Sequence, residues 1–235
     1  MNRWPDGSFL MNIAIFGGTF DPIHAGHLAA ARAAQRRFRL DRVLFIPTGN
    51  PPHKIHDHLT DYAQRYAMVA LACGGEPRFI PSTIEAPTVD GSLRYSIDTV
   101  RRVRRKLRQH DRMFFLVGAD AFLDLPHWRE FRRLLDAVEF IVVSRPGFDV
   151  AALRQVAPPD LLPARRLAQK AGTIRLRHGA IHLLHGVDAP VASRDIRQAV
   201  RARKPITGLV PKLVEEYIMK EGLYGPSAAV KRLQR

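Results

Sequence analysis

Residues 11–38 decide the fold, and they read MNIAIFGGTFDPIHAGHLAAARAAQRRF. The apolar run Met11 to Phe16 predicts a buried strand, and the alanine-rich segment from about Gly26 to Phe38 predicts a helix. Gly17 and Gly18 follow the strand, and their backbone N–H groups can approach an anion without hindrance from a side chain. The helix directs the positive end of its dipole at the same place. This order of strand, loop and helix therefore predicts a phosphate-binding site.

Short apolar runs alternate with helical segments along the rest of the chain. Further strands are predicted at residues 43–47, 79–81, 114–117, 140–143 and 181–184. A helix is predicted after Asp61, which would cap it. Further helices are predicted from near Tyr95, over 193–202 and along the apolar stripe of Val210, Leu213, Val214, Tyr217 and Ile218, which Gly222 ends. Such alternation indicates a parallel sheet covered on both faces. The expected fold class is α/β, a doubly wound, Rossmann-like parallel sheet with helices on both faces.

One domain is expected, because 235 residues suffice for a sizeable core but are short for two full domains. Residues 1–10 are predicted to form an N-terminal extension, and residues 11–224 the single domain. Inside it, residues 149–172 change to a composition of Pro, Ala and Arg, which predicts an insertion or a helical hairpin. Residues 225–235 form a basic C-terminal tail.

The formal net charge of +15 admits three interpretations. A basic surface can bind nucleic acid, its field can favour small polyphosphates, or the arginines can occupy the solvated faces of helices. The third is favoured around residues 101–106, where Val100, Val103 and Leu107 keep the spacing of a buried helical stripe. Nucleic acid is therefore not the expected partner.

The cysteine content and the apolar runs bear on the compartment. Cys73 is the only cysteine, which excludes an internal disulfide and a cysteine metal cluster. No stretch reaches the roughly 18 apolar residues that a membrane-spanning helix needs. The residues around Pro5 and Asp6 lack the apolar segment of a signal peptide. A cytoplasmic protein without a membrane partner is expected.

His24 and His27 strengthen the phosphate prediction. Because they stand three apart at the start of a helix, the imidazoles share one face and can donate to phosphate oxygens without a permanent charge. Two alternatives compete: a metal site, and histidines that only cap the helix. A metal site is disfavoured, since no cysteine or carboxylate joins the pair at ligand spacing.

Residues 17–27, GGTFDPIHAGH, resemble the signature of the nucleotidylyltransferases with a histidine-x-glycine-histidine motif. Within them the chain resembles the nicotinate-nucleotide adenylyltransferases from Met11 to Tyr224. The other matching motifs are residues 51–54 (PPHK), 95–99 (YSIDT), 115–120 (FLVGAD), 125–128 (LPHW), 144–147 (SRPG) and 191–197 (VASRDIR). The resemblance implies that ATP and nicotinate mononucleotide react to give deamido-NAD and pyrophosphate, in NAD biosynthesis. It also implies in-line attack without a covalent intermediate, and Mg²⁺ carried with ATP.

The resemblance assigns the residues that would bind ATP. His24 and His27 would be catalytic, holding the phosphates and stabilising the charge that develops as the bond breaks. Gly118 and Asp120 would meet the adenosine, although Asp120 can also serve as a helix N-cap. Backbone contacts to the phosphates would come from Gly17, Gly18, Thr19 and Phe20.

The last ATP-binding motif departs from the pattern of the family. Ser193 and Arg197 would hold the β- and γ-phosphates and the departing pyrophosphate. The usual Ile-Ser-Ser-Thr-x-Ile-Arg, however, has Ala192 in place of one hydroxyl and Arg194 in place of the threonine. The site loses one donor and gains a cation.

Four residues are implied at the mononucleotide. Lys54 would neutralise its phosphate, and Trp128 would stack on the pyridine ring. Trp128 could instead be a half-buried core residue. The turn at Tyr95 and Ser96 opens a helix, whose free N–H groups could receive the nicotinate carboxylate.

Two other functions remain open from the sequence. A sister adenylyltransferase would act on nicotinamide mononucleotide or pantetheine phosphate, and Trp128, Lys54 and the Tyr95–Ser96 turn favour a pyridine nucleotide. A basic RNA-binding protein could also carry this fold. Whether the chain forms a homo-oligomer is left open as well.

Overall fold

The computed structural model describes residues 10–50, 59–144, 150–163, 172–187 and 190–225. The strands are β1 Asn12–Gly18, β2 Arg42–Pro47, β3 Phe79–Pro81, β4 Arg112–Gly118, β5 Glu139–Val143, β6 Thr173–Arg175 and β7 Ala180–Leu184. The helices are α1 Ala25–Phe38, α2 Tyr62–Cys73, α3 Ser96–Arg104, α4 Ala119–Leu123, α5 Phe131–Ala137, α6 Val150–Val156, α7 Ser193–Arg201 and α8 Lys212–Glu221. Strands and helices alternate as the sequence predicts.

The strands form one sheet in the order β3-β2-β1-β4-β5-β7-β6. All neighbours are parallel except β6 and β7, which are antiparallel. The chain runs outward from β1 to β2 on one side and from β4 to β5 on the other, so the strand order reverses between β1 and β4. In doubly wound sheets ligands bind at that reversal, beyond the carboxyl ends of the strands.

Alternate residues of β1 face two separate cores. Ala14 and Phe16 pack with buried residues of α1, α2, α7 and α8, whereas Ile15 packs with buried residues of α3, α4, α5 and α6. Because successive side chains of a strand point to opposite faces, both faces of the sheet are covered. The predicted doubly wound fold is confirmed.

Several details differ from the prediction. Strand β6 was not predicted, and it makes the sheet mixed rather than wholly parallel. Leu213 belongs to the predicted stripe of α8 but is 53% exposed, while Val214 and Ile218 are buried. Asp61 precedes α2 at the N-cap position without a side-chain capping hydrogen bond.

Within the predicted insertion, residues 149–172, the structure describes α6 and a 3-10 turn at Pro159–Leu161. Leu153 and Leu161 join the core on the α3 face of the sheet, so the described part of the segment packs against that core.

Among the described residues no helix is both long and apolar enough to cross a membrane.

Candidate active site

A cavity of about 820 Å³ opens at the carboxyl edge of the sheet, between β1 and β4. Small-molecule sites commonly have volumes of roughly 300–1,000 Å³. One end is lined by Gly17, Gly18, His24, Gly26 and His27, and the other by Glu85, Arg94, Tyr95, Ser96, Trp128 and Arg129. The cavity thus joins the predicted phosphate loop to the predicted mononucleotide residues.

His24 and His27 form a reciprocal capping box at the start of α1. The backbone N–H of His27 donates to Nδ1 of His24 at 3.4 Å, and that of His24 donates to Nδ1 of His27 at 3.2 Å. Their rings stack with centroids 3.6 Å apart. Because Nδ1 accepts in both rings, a neutral imidazole carries its proton on Nε2. Both histidines therefore cap the helix, and each ring keeps an Nε2 donor that the cap does not use.

Burial keeps both imidazoles neutral. Burial lowers the pKa of His24 from 6.5 to about 4. Burial and the neighbouring His24 hold the pKa of His27 well below its ordinary value. The first turn of α1 contains no acidic residue, so the positive end of the helix dipole faces the cavity without a local countercharge. This end of the cavity therefore offers donors without a fixed cation, an arrangement that suits phosphate oxygens.

The loop between β1 and α1 divides into two parts. Gly17 and Gly18 line the cavity, whereas Thr19 and Phe20 do not. The carbonyl oxygen of Thr19 accepts from Arg65 at 2.8 Å. Phe20 is 1% exposed and packs edge-on against the His27 ring at 5.0 Å between centroids. The structure thus places Thr19 and Phe20 behind the cavity lining.

Gly118 and Asp120 line the cavity beside β1. The N-cap of α4 is Gly118, and Asp120 lies within the helix, so the alternative interpretation of Asp120 as an N-cap is wrong. Its exposed carboxylate stands at the edge of the cavity. A role toward ribose hydroxyls remains a prediction.

Ser193 and Arg197 do not line the cavity. Ser193 Oγ donates to the carbonyl of Pro22 at 2.9 Å, and Arg197 Nη1 donates to the carbonyl of Asp21 at 2.6 Å. Ala192 occupies the N-cap position of α7, where it provides no side-chain cap. Both predicted phosphate ligands therefore hold the β1–α1 loop from behind.

The far end of the cavity contains the predicted aromatic residues. Trp128 is half-buried and packs edge-on against Phe115, with centroids 6.1 Å apart, while it also lines the cavity. Tyr95 is the N-cap residue of α3, without a side-chain capping bond, and the Arg129 guanidinium lies 4.6 Å from its ring centroid. Ser96 begins α3 and lines the same end. Lys54 lies outside the described residues.

Sequence reasoning missed three charged residues at this end, Glu85, Arg94 and Arg129. Glu85 is 6% exposed, its carboxylate accepts from Thr99 Oγ1 at 2.6 Å, and burial raises its pKa. Arg94 and Arg129 adjoin the predicted residues Tyr95 and Trp128 in sequence, which is the signal that could have identified them. Glu85 has no such signal, because only the tertiary structure brings its loop to the cavity.

Among the residues that the structure describes, no group of three or more His, Cys, Asp or Glu side chains is arranged to hold a metal ion.

Comparisons with known proteins agree with this outline. The cytidylyltransferase-like family matches residues 15–203. A protein of Moorella thermoacetica named probable nicotinate-nucleotide adenylyltransferase is 40% identical over 214 residues, 91% of this chain and 92% of that protein. A protein of the same name from Solibacter usitatus is 40% identical over 204 residues, 87% of this chain and 95% of its own.

The fold is also similar to that of a solved structure. The nicotinic acid mononucleotide adenylyltransferase of Plasmodium falciparum complexed with NaAD has a TM-score of 0.68 and 17% sequence identity. The match covers 91% of this chain and 97% of that one. At this identity the likeness concerns the fold alone.

Proposed function

Because this chain belongs to the cytidylyltransferase-like family and, within it, to the nicotinate-nucleotide adenylyltransferases, we propose that it joins ATP and nicotinate mononucleotide into deamido-NAD and pyrophosphate. The observation that carries the proposal is the single cavity that runs from the His24–His27 pair to Trp128 and the start of α3. Two substrates that react with each other must lie end to end in one space. The cavity provides a phosphate end and an aromatic end.

At the phosphate end, the triphosphate of ATP lies against Gly17, Gly18 and the start of α1. The N–H groups there and the Nε2–H groups of His24 and His27 donate to phosphate oxygens. As the mononucleotide phosphate attacks the α-phosphorus in line, negative charge builds on the departing pyrophosphate. Donors fixed beforehand by the capping box stabilise that charge without reorganising, which lowers the barrier.

At the aromatic end, the pyridine ring stacks on Trp128. The nicotinate carboxylate lies near the N-terminus of α3, where backbone N–H groups and the cations Arg94 and Arg129 favour an anion. An uncharged carboxamide gains less from the same surroundings. This end therefore favours the acid over the amide.

Mg²⁺ is proposed to enter with ATP. It would neutralise charge on the triphosphate, and Mg²⁺ in nucleotide sites usually keeps several waters beside the phosphates and one or two carboxylates. Asp120 and Asp124 are the exposed carboxylates among the cavity-lining residues, and they do not form a cage. This donor set fits an ion that travels with the nucleotide.

The basic surface does not require nucleic acid as a partner. Arg32, Arg101, Arg112 and Arg132 form ion pairs with Glu76, Glu130, Glu139 and Asp160. Val100 and Val103 are buried beneath the arginines of α3. These observations favour a solvated basic surface.

The test is pyrophosphate release by the purified full chain with Mg²⁺ and ATP. Nicotinate mononucleotide, nicotinamide mononucleotide and pantetheine phosphate are supplied in parallel at equal concentration. The acid is expected to give the highest kcat/KM. An equal or higher value with pantetheine phosphate would reject the pyridine substrate, and an equal value with the amide would reject only the preference for the acid.

A further inference from the structure

The loop that carries Phe20 to Ile23 is held from behind by side chains of two helices. Arg65 of α2 donates to the carbonyl of Thr19, while Ser193 and Arg197 of α7 donate to the carbonyls of Pro22 and Asp21. Arg65 is 2% exposed, and none of these three donors lines the cavity. The carbonyl oxygens of the loop therefore point away from the space where phosphate would bind.

The side chain of Asp21 is the centre of this arrangement. It is 2% exposed, and both carboxyl oxygens accept hydrogen bonds, from the phenol of Tyr224 at 2.7 Å and from the backbone N–H of Thr60 at 3.2 Å. Arg65 Nε donates to the carbonyl of Thr60 at 2.8 Å. Because Arg65 also donates to the carbonyl of Thr19, one guanidinium group bonds to both segments that lie beside the Asp21 carboxyl group. A buried carboxyl group needs such partners, since burial without them is costly.

Tyr224 reaches Asp21 from the far end of the chain. It lies two residues beyond Gly222, the C-cap of α8, and has a left-handed backbone with φ of 63°. Burial and the adjacent Asp21 raise the pKa of its phenol, so at neutral pH the hydroxyl is a donor. The left-handed conformation is uncommon for a residue with a large side chain and persists where the surroundings hold it.

We propose that Tyr224 and Asp21 are a positioning pair for adenylyl transfer: the phenol holds the carboxyl group, and the carboxyl group holds the loop that orients His24 and His27. Neither residue lines the cavity. This inference rests on the proposed function, which it extends to a segment outside the cavity.

The physical reason lies in the backbone of the loop. Phe20 has a left-handed conformation, with φ of 47°, although it is not glycine. Its ring packs against His27, and the next residue is Asp21. If the bond between Tyr224 and Asp21 is lost, the loop can relax toward ordinary backbone angles, moving the His27 ring and turning carbonyl oxygens toward the phosphates. Displacements of about 1 Å at a catalytic group are enough to lower turnover by roughly a hundredfold.

The experiment compares two phenylalanine variants of the full chain. Tyr224→Phe removes only the hydroxyl that Asp21 accepts. Tyr217→Phe is the matched control, because the Tyr217 phenol on α8 donates to the Gln64 side chain on α2 and not to a residue of the loop. For each protein, kcat, the KM for both substrates, the Kd for ATP and the Tm are measured.

Tyr224→Phe is expected to lower kcat by about tenfold to a hundredfold and to weaken ATP binding, with an unchanged KM for the mononucleotide. Tyr217→Phe is expected to keep kcat and the Kd for ATP while losing a comparable amount of Tm. A purely structural role would lower the Tm of both variants and leave the kcat of the folded enzyme intact. That result, or an equal loss of kcat in both variants, would overturn the proposal.

A double-mutant cycle tests whether the two residues act as a pair. In an Asp21→Ala background, Tyr224→Phe is expected to cause no further loss of kcat or ATP affinity, because its acceptor is gone. Independent, additive losses would contradict the pair. If wild-type protein fails to turn over nicotinate mononucleotide, the proposed function fails, but the ATP affinities of the same variants still decide the positioning role.

Discussion

The two ends of the cavity are built in different ways. The phosphate end comes from one continuous segment, Gly17 to His27, and its polar groups bond to each other through the His24–His27 capping box. The aromatic end combines residues 85–96 with residues 128–129, and its cations Arg94 and Arg129 are partly or fully exposed. One end is a preformed local structure, and the other is an assembly of separate loops.

This difference predicts that the two ends affect different kinetic parameters. Groups that are buried and fixed before the substrate arrives contribute most where charge develops in the transition state. Exposed groups on separate loops contribute mainly to holding a substrate, because solvent screens their charges. Substitutions at the phosphate end should therefore lower kcat, and substitutions at the aromatic end should raise the KM for the mononucleotide.

His27→Ala should give the largest effect. It removes one donor to the developing charge, and we expect the barrier to rise by about 2–4 kcal/mol, seen as a lower kcat in a steady-state assay. His178→Ala is the control, since His178 is exposed in the turn between β6 and β7. A folded His27→Ala protein with the wild-type kcat would contradict the expectation that the phosphate end acts on kcat.

The pH dependence of stability should come next, through His24. Its pKa of about 4 in the folded protein lies below 6.5, so the unfolded chain binds more protons between these values. The free energy of unfolding therefore has its full value above pH 6.5 and decreases as the pH falls from 6.5 toward 4. Protonation of His24 accounts for roughly 3 kcal/mol of this decrease. His27 acts in the same direction.

Urea denaturation at several pH values measures this loss. His24→Asn keeps a side-chain oxygen at the N-cap but cannot titrate, so it should flatten the dependence between pH 6.5 and 4. A slope unchanged by His24→Asn would show that His24 is not a source of this pH dependence.

Trp128→Ala should act on the other end of the cavity. Stacking of an aromatic side chain on a base is worth about 1–3 kcal/mol, so the KM for nicotinate mononucleotide should rise by roughly fivefold or more. Trp128→Phe, which keeps a ring, should fall between this variant and the wild type. Steady-state kinetics with each substrate varied in turn measures the KM for nicotinate mononucleotide and the KM for ATP. A parallel rise in the KM for ATP would contradict the expectation that the two ends bind different substrates.

Arg129→Gln should have the smallest effect. Exposed charges contribute at most about 1 kcal/mol, so the KM for the acid should rise only a few-fold, with little change for the amide. Arg133→Gln is the matched control, because Arg133 is exposed nearby, pairs with Glu130 and does not line the cavity. The measurement is the ratio of kcat/KM for the acid to kcat/KM for the amide. An equal change of this ratio in both variants would show that Arg129 does not contribute to the preference for the acid.

Most of the fold could be predicted because its strands are buried on both faces. Continuous apolar runs such as residues 114–117 carry that signal, and the structure places them in the sheet. Strand β6 lacks it, since only Ile174 of its three residues is buried and its pairing with β7 is antiparallel. Leu213 was misassigned because an apolar residue at helical spacing can still face solvent.

In the candidate site, too, the structure agrees with some sequence predictions and not with others. The cavity is lined by five residues that the motifs assign to the substrates: His24, His27, Tyr95, Ser96 and Trp128. Their roles toward the substrates stay predictions. Ser193 and Arg197 lie behind it, because in this structure their donors bond to loop carbonyls.

The sequence by itself determined the alternation of strands and helices, the glycine loop and the histidine pair, because each depends on residues close together in the chain. Only the tertiary structure decided which distant groups meet. Glu85 and Arg129 reach one cavity, and Tyr224 reaches Asp21 across 203 positions of sequence, because the sheet order and the packing of α8 bring them together. Helix and strand propensities depend on residues that are neighbours in the chain, whereas contacts between distant segments depend on how the whole core packs.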